Sequence, residues 1–224
     1  TGAFAEYVLA REAYVTLKPA KISFEEAAAV PVAALTALQG LRDAGGIRPG
    51  QKVLIQGASG GVGTFAVQLA KTFEAEVTAV CSTRNLEMAR SLGADHVIDY
   101  TREDFTRNPQ RYDLIFAVNG YHSLSDYKRT LNPQGIYICA GGTMAQIFQP
   151  MILGSLMSKE GGKVMKSMGI AKVNQDDLVY LRELLEAGKI VSQIDHCYPL
   201  VKIVEAMRYF EETHPQGKVV ITME

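Results

Sequence analysis

The stretch that most limits what this chain can fold into is Gln51-Lys-Val-Leu-Ile-Gln-Gly57-Ala-Ser-Gly60-Gly61-Val-Gly63-Thr-Phe-Ala-Val-Gln-Leu-Ala70-Lys71. Val53, Leu54 and Ile55 form a short apolar run of the kind found in a parallel strand covered on both faces. A glycine cluster follows, and beyond it Val62, Phe65, Ala66, Leu69 and Ala70 recur at helical spacing. Strand, glycine turn and helix N-terminus in this order suit a dinucleotide pyrophosphate. Glycines let backbone approach the ligand, and the unpaired N–H groups of the first helical turn point at the anion. The helix dipole adds about 0.3–1 kcal/mol of attraction. Against the fingerprint G-x-G-x-x-G the match is Ala58-x-Gly60-x-x-Gly63, with Gly61 extra and Gly57 closing the strand. Gly60 takes the close-approach position and Gly63 the helix-packing position. Ala58 places a methyl group where the fingerprint has its first glycine.

Around this unit, strands and helices alternate. Phe4, Tyr7, Leu9, Tyr14, Val15 and Leu17 give the start of the chain a partial alternation that reads as extended. Tyr14 and Lys18 make Y-x-x-x-K by spacing, but in a strand-like stretch ahead of the glycine turn this is a chance match. Ser23 with Glu26 makes a capping box for a helix over residues 24–30; Pro31 then opens a second helix, stopped by Gly45-Gly46. Strands are expected over residues 76–82, 96–98, 113–118 and 136–140, with helices over 84–92 and from Ser123 or Ser125 to 131. Further on come an apolar helical stretch at 149–157, a strand at 163–169, a helix at 176–187, an extended segment at 190–198, a helix at 201–211 and a strand at 218–222. This rhythm implies right-handed βαβ units and a doubly wound parallel sheet.

In such a sheet a ligand lies across the carboxyl ends of the strands. About 20 residues past the start of the glycine motif, NAD-selective sites place an acid for the ribose 2′-hydroxyl. This chain has Ser82-Thr83-Arg84 there. None of the three repels a 2′-phosphate and each can hydrogen-bond one, which points to NADP; the plain alternative is that Arg84 is a solvated residue at a helix start. Asn119-Gly120 and Ala140-Gly141-Gly142 fall at two further strand ends. They either leave room for a nicotinamide ribose and ring or are ordinary strand-exit turns. There is no Ser/His/Asp triad or carboxylate pair, and His96, His122, His196 and His214 have no recognisable partners, so no proton donor is assigned.

Composition adds the remaining bounds. With 224 residues there is room for one large domain, or one and part of another. A net charge of −1 builds no field for nucleic acid. The longest apolar run, residues 27–38, contains Pro31 and falls short of the roughly 20 residues that span a bilayer, so no membrane partner is expected. No secretion signal opens the chain, and its first residue, Thr1, suggests a fragment or processed chain. Cys81, Cys139 and Cys197 lie far apart, each in or beside an apolar run. They lack metal-ligand spacing and read as buried thiols in a reducing cytoplasm. Met151, Met157, Met165, Met168 and Met207 read as core or cleft filler.

Five motifs appear in one order: Gly2-Ala-Phe-Ala-Glu-Tyr-Val8, Ala28-Ala-Val-Pro-Val-Ala-Ala-Leu-Thr-Ala37, Gly57-Ala-Ser-Gly-Gly-Val-Gly63, Leu92-Gly-Ala-Asp-His-Val-Ile-Asp-Tyr100 and Gly217-Lys-Val-Val-Ile221. Together they resemble the medium-chain dehydrogenase/reductase superfamily, and within it the zinc-free quinone oxidoreductase-like branch, over nearly the whole chain. The resemblance implies an α/β Rossmann domain, a three-layer αβα doubly wound parallel sheet, over residues 20–200. It implies the end of a GroES-like catalytic domain at 1–19 and a return helix and strand at 201–224. The zinc ligands of zinc-dependent relatives would lie mostly outside this chain, so no metal is expected in it. By the same resemblance Thr36 faces the nicotinamide end, and Ser59, Gly60, Gly61 and Val62 face the pyrophosphate. Arg84 and Tyr100 match positions that hold the 2′-phosphate of NADPH, with Arg84 standing where such relatives often carry lysine. Asn119, Gly141 and Gly142 border the nicotinamide. The implied activity is NADPH-dependent reduction of quinones, enones or similar carbonyl compounds, by hydride transfer from the cofactor, in a homodimer. Two other readings stay open: a zinc alcohol dehydrogenase with its metal on another domain, and a nucleotide-binding protein without turnover.

Overall fold

Ser23 and Glu26 close a reciprocal capping box in front of α1 (Phe24–Ala28). Pro31, which has no N–H to leave unpaired, opens α2 (Pro31–Gln39). α2 runs on into a π-helical turn, Gly40–Ala44. A Cβ at Gly40 would come within 2.3 Å of the Phe116 ring, so the helix can cross the sheet this closely only on a glycine. The computed structural model describes residues 4–142 and 162–223; the stretch expected to be helical at 149–157, with Met151 and Met157, lies outside the described residues.

After α2 come β1 (Lys52–Gln56), α3 (Gly61–Thr72), β2 (Glu76–Cys81), α4 (Leu86–Ser91) and β3 (His96–Asp99). Then follow β4 (Tyr112–Ala117), α5 (Leu124–Thr130), β5 (Leu131–Cys139) and β6 (Val164–Ser167). Of the two serines that compete on paper to cap α5, Ser123 does so, accepting from the Asp126 N–H. β5 differs from expectation at its start. It begins at Leu131, opposite Tyr112, and shifts register before Ile136, with Gln134 at φ 62°.

The six strands form a parallel sheet in the order β3-β2-β1-β4-β5-β6. This is the doubly wound order, and its direction reverses between β1 and β4. Alternation along each strand feeds two cores. Val53 and Ile55 join one with Leu35, Phe65, Leu69 and Leu181; Leu54 joins the other with Phe105, Tyr127 and Tyr137. Phe65 and Leu69 are fully buried, each worth about 1.5–3 kcal/mol in removed apolar surface. The glycine turn leaves β1 at the switch point, where the two halves of the sheet part.

The rest of the described chain is α6 (Gln175–Glu186), β7 (Ile194–Pro199), α7 (Ile203–Glu212) and β8 (Lys218–Thr222). β7 and β8 pair with each other in a separate two-stranded parallel sheet. Cys81 and Cys139 are buried in the large sheet, whereas Cys197, expected to be buried, is exposed, because the two-stranded sheet leaves this part of β7 uncovered. Met165 is core, but Met207 is 45% exposed on α7. Among the described residues no helix is long and apolar enough to cross a membrane.

Candidate functional site

Gly57 leaves β1 at φ 78°, a left-handed conformation, and turns the chain toward α3. The Gly60 N–H donates to the Gly57 carbonyl at 3.2 Å, closing the turn. Gly60 is the N-cap of α3 and offers no side-chain acceptor to the first helical turn. Gly63 packs so tightly that a Cβ would stand 2.0 Å from the Gly57 carbonyl oxygen and 2.7 Å from the Ala58 Cα. Ala58 departs from the fingerprint without cost, because its methyl group is fully buried in the core.

The turn is not left bare. Gly217, just before β8, donates its N–H to the Ser59 carbonyl at 2.9 Å and pairs with Gly60 in an isolated parallel bridge. The alkyl stem of Lys218 lies against Gly61, where its Cδ would be 2.5 Å from an added Cβ. Close approach at Gly61 is therefore taken up on one side by the chain's own return segment. Burial lowers the Lys218 ammonium from its ordinary range.

Two cavities open on this turn, of about 590 and 450 Å³. The larger is lined by Ser59, Ser82, Thr83, Arg84 and Tyr100, with Thr213 and His214 opposite. The smaller is lined by Gly57, Ser59, Gly60, Gly61, Tyr100 and Asn119, again with Thr213 and His214. The shared residues make them one groove across the carboxyl ends of the strands.

At the β2 end, Asp99 accepts from the Thr83 hydroxyl, from the Thr101 hydroxyl at 2.7 Å and from the Thr101 N–H at 2.9 Å. The Thr83 bond, followed by those from Thr101, holds the Asp99 carboxyl below the usual carboxylate range despite burial. Thr83 has one proton and Asp99 takes it, so Thr83 has none left to donate to a ligand. Ser82 accepts from the Asn85 amide at 3.0 Å and keeps its own proton. Arg84 donates one guanidinium N–H to the His214 carbonyl, which fixes its direction and leaves its other donors.

The structure thus brings together Ser59, Gly60, Gly61, Ser82, Thr83, Arg84, Tyr100 and Asn119. Val62 and Gly63 sit behind the turn and pack on the core. Gly141 lies at the exit of β5 against β4, where a Cβ would be 2.3 Å from the Val118 carbonyl oxygen, and Gly142 follows at φ 127°. Thr36 stands apart on α2 and donates its hydroxyl to the Val32 carbonyl at 2.7 Å. Thr213, His214 and Gly217 were not singled out as site residues from sequence. Their one signal was the Gly217-Lys218 motif, which carries no indication of where it folds back.

A family model described as zinc-binding dehydrogenase matches residues 92–221, more than half of the chain. The chain belongs to this family. A 2-methylene-furan-3-one reductase of Solanum lycopersicum is 36% identical, over 98% of this chain and 52% of the reductase. A chloroplast envelope quinone oxidoreductase homolog of Arabidopsis thaliana is 34% identical, over 98% of this chain and 68% of that protein. The solved quinone oxidoreductase of Coxiella burnetii superposes with a TM-score of 0.80 at 28% identity, covering 93% of this chain and 64% of that one. The chain therefore spans between about half and two thirds of the length of these relatives. The family's zinc finds no donor set here: among the described residues no three His, Cys, Asp or Glu side chains are grouped as ligands, and the three cysteines lie on separate strands.

Proposed function

We propose that this chain is the cofactor-binding part of an NADPH-dependent oxidoreductase acting on quinones, enones or related carbonyl compounds. The observation that carries the reading is one groove in which an uncapped helix N-terminus and the Ser82, Arg84 and Tyr100 side chains face the same space. Ser59, Gly60, Gly61 and Val62 would hold the diphosphate, with Gly63 packing α3 behind them. Ser82, Arg84 and Tyr100 would hold the 2′-phosphate, with the Thr83 hydroxyl engaged on the Asp99 carboxylate beside it. Asn119, Gly141 and Gly142 would border the nicotinamide, and Thr36 would stand toward that end. Residues 20–200 would form the nucleotide domain and 201–224 the return to a second domain. Bound there, NADPH would supply a hydride, while the chain's residues orient it and keep water from it.

Two carboxylates near the 2′ position bear on the choice of cofactor. Asp99 is buried but has its oxygens occupied by three donors from Thr83 and Thr101. Glu212, across the groove, is exposed, so solvent and salt screen its repulsion. Arg84 outweighs it, since a hydrogen bond from a charged donor is worth about 1.5–3 kcal/mol. The names of the tomato and Arabidopsis relatives support an enone or quinone as the substrate class. Titration with NADPH and NADH tests the reading: NADPH should bind at least about tenfold tighter, as that energy implies. Equal affinities would remove the NADP assignment, and no binding of either would remove the nucleotide site itself.

A further inference from the structure

Tyr121 was given no role from sequence, yet its backbone is hydrogen-bonded to a buried side chain and its ring packs on two others. Its ring stands beside that of Tyr100, with centroids 5.9 Å apart and planes tilted by 57°. Tyr121 is 49% exposed and Tyr100 47%, so both stand at the protein surface. Below, the support is buried. The Tyr121 and His122 N–H groups donate to the Tyr127 hydroxyl at 3.2 and 3.4 Å, and that hydroxyl donates to the Gln56 side-chain oxygen at 2.5 Å. Tyr127 is 1% exposed and stacks on Tyr137 at 4.4 Å. The His122 ring lies under Tyr121 at 4.2 Å and meets Phe105 and Tyr127 edge to face. Gln56 ends β1, immediately before Gly57. The strand that places the glycine turn therefore also fixes the backbone at Tyr121.

We propose that Tyr121 is the platform on which the purine base of the bound dinucleotide stacks, making it an affinity-determining residue for the adenosine half. This rests on the nucleotide reading of the groove. The base is assigned to this end because Tyr121 adjoins Tyr100, which lines the groove with Ser82 and Arg84, whereas the exit of β5 lies on the far side of β4. Stacking on an aromatic face needs no hydrogen-bond match, so a surface ring on a fixed base suffices.

Binding is read by isothermal titration calorimetry, because all ten tyrosines of the chain would contribute to its emission. The whole chain is titrated with adenosine 2′,5′-bisphosphate and with inorganic diphosphate, as wild type, Tyr121→Phe, Tyr121→Leu and Tyr121→Ala. Wild type and Tyr121→Phe should agree within about twofold for the bisphosphate; Tyr121→Leu and Tyr121→Ala should bind it about tenfold more weakly or worse. Inorganic diphosphate, with no base to stack, should bind all four alike. Wild-type affinity in Tyr121→Leu and Tyr121→Ala would overturn the platform and leave the nucleotide groove intact. Loss of diphosphate binding and of the thermal transition together would overturn it by showing that Tyr121 is a structural residue. Failure of the wild type to bind either ligand would overturn the nucleotide reading, and this inference with it.

Discussion

The two walls of the groove are built differently. The glycine wall, residues 57–63, is a single stretch of backbone whose tightest contact is internal, the Gly57 carbonyl oxygen standing 2.0 Å from the site of a Gly63 Cβ, while the Gly217 N–H closes on it from outside at the Ser59 carbonyl. The opposite wall is assembled from residues 82–84, 99–101 and 213–217, which are remote in sequence. Three side chains tie it together: Thr83 and Thr101 on Asp99, and Arg84 on the His214 carbonyl. Steric exclusion by backbone holds the first wall, and hydrogen bonds with one charged partner, the Asp99 carboxylate or the Arg84 guanidinium, hold the second. Damage to the first should therefore be felt by the fold, and damage to the second by ligand choice.

The sharpest way to break this contrast is Gly63→Ala. The atoms that a methyl group would strike are backbone, which cannot rotate away, so α3 must shift off the strand. Overpacking of this kind costs about 3 kcal/mol at the upper end of its usual range. For a chain of this size the thermal transition should fall by roughly 6–12 °C. Nucleotide affinity should be lost with it. A transition within a degree of wild type would mean that the glycine wall is softer than its distances imply.

The same contrast explains what could be read in the sequence. Local features were legible: the strand and helix on either side of the turn, the Ser23–Glu26 capping box and the strand–helix alternation that implies a doubly wound parallel sheet. Each rests on periodicity or on neighbours a few residues apart. The bridge from Gly217 to Ser59 and Gly60 was not legible, because no periodicity relates segments so far apart. The same holds for Asp99, which sits in a recognisable motif but takes its meaning from Thr83. From sequence Thr83 looked like a phosphate donor, and in the fold its proton is spent on a carboxylate.

Arg84→Ala should have the next largest effect, on selectivity alone. Arg84 is exposed and its one fixed bond is to a backbone carbonyl, so the thermal transition should stay within about 2 °C of wild type. Affinity for NADPH should fall about tenfold or more while affinity for NADH stays level, as titration of both cofactors would reveal. A parallel loss for the two would move Arg84 from the 2′-phosphate to a part of the groove that both cofactors share.

The smallest effect, and the finest division between the walls, is expected from Asp99→Asn as a function of pH. The Thr83 and Thr101 donors depress the Asp99 pKa in the folded chain. A depressed carboxylate stabilises the fold fully at pH above its unfolded value of about 3.9, and this contribution is lost as pH falls through the folded value. In wild type, acidification through that window should loosen the 83–99–101 contacts, while the glycine wall has no titrating group of its own to lose. The variant keeps an acceptor for Thr101 but turns a donor or a weaker oxygen toward Thr83, so its stability should depend less on pH there. Thermal transitions of both proteins between pH 3 and pH 6 measure the difference, and parallel curves would show that Asp99 does not hold this wall.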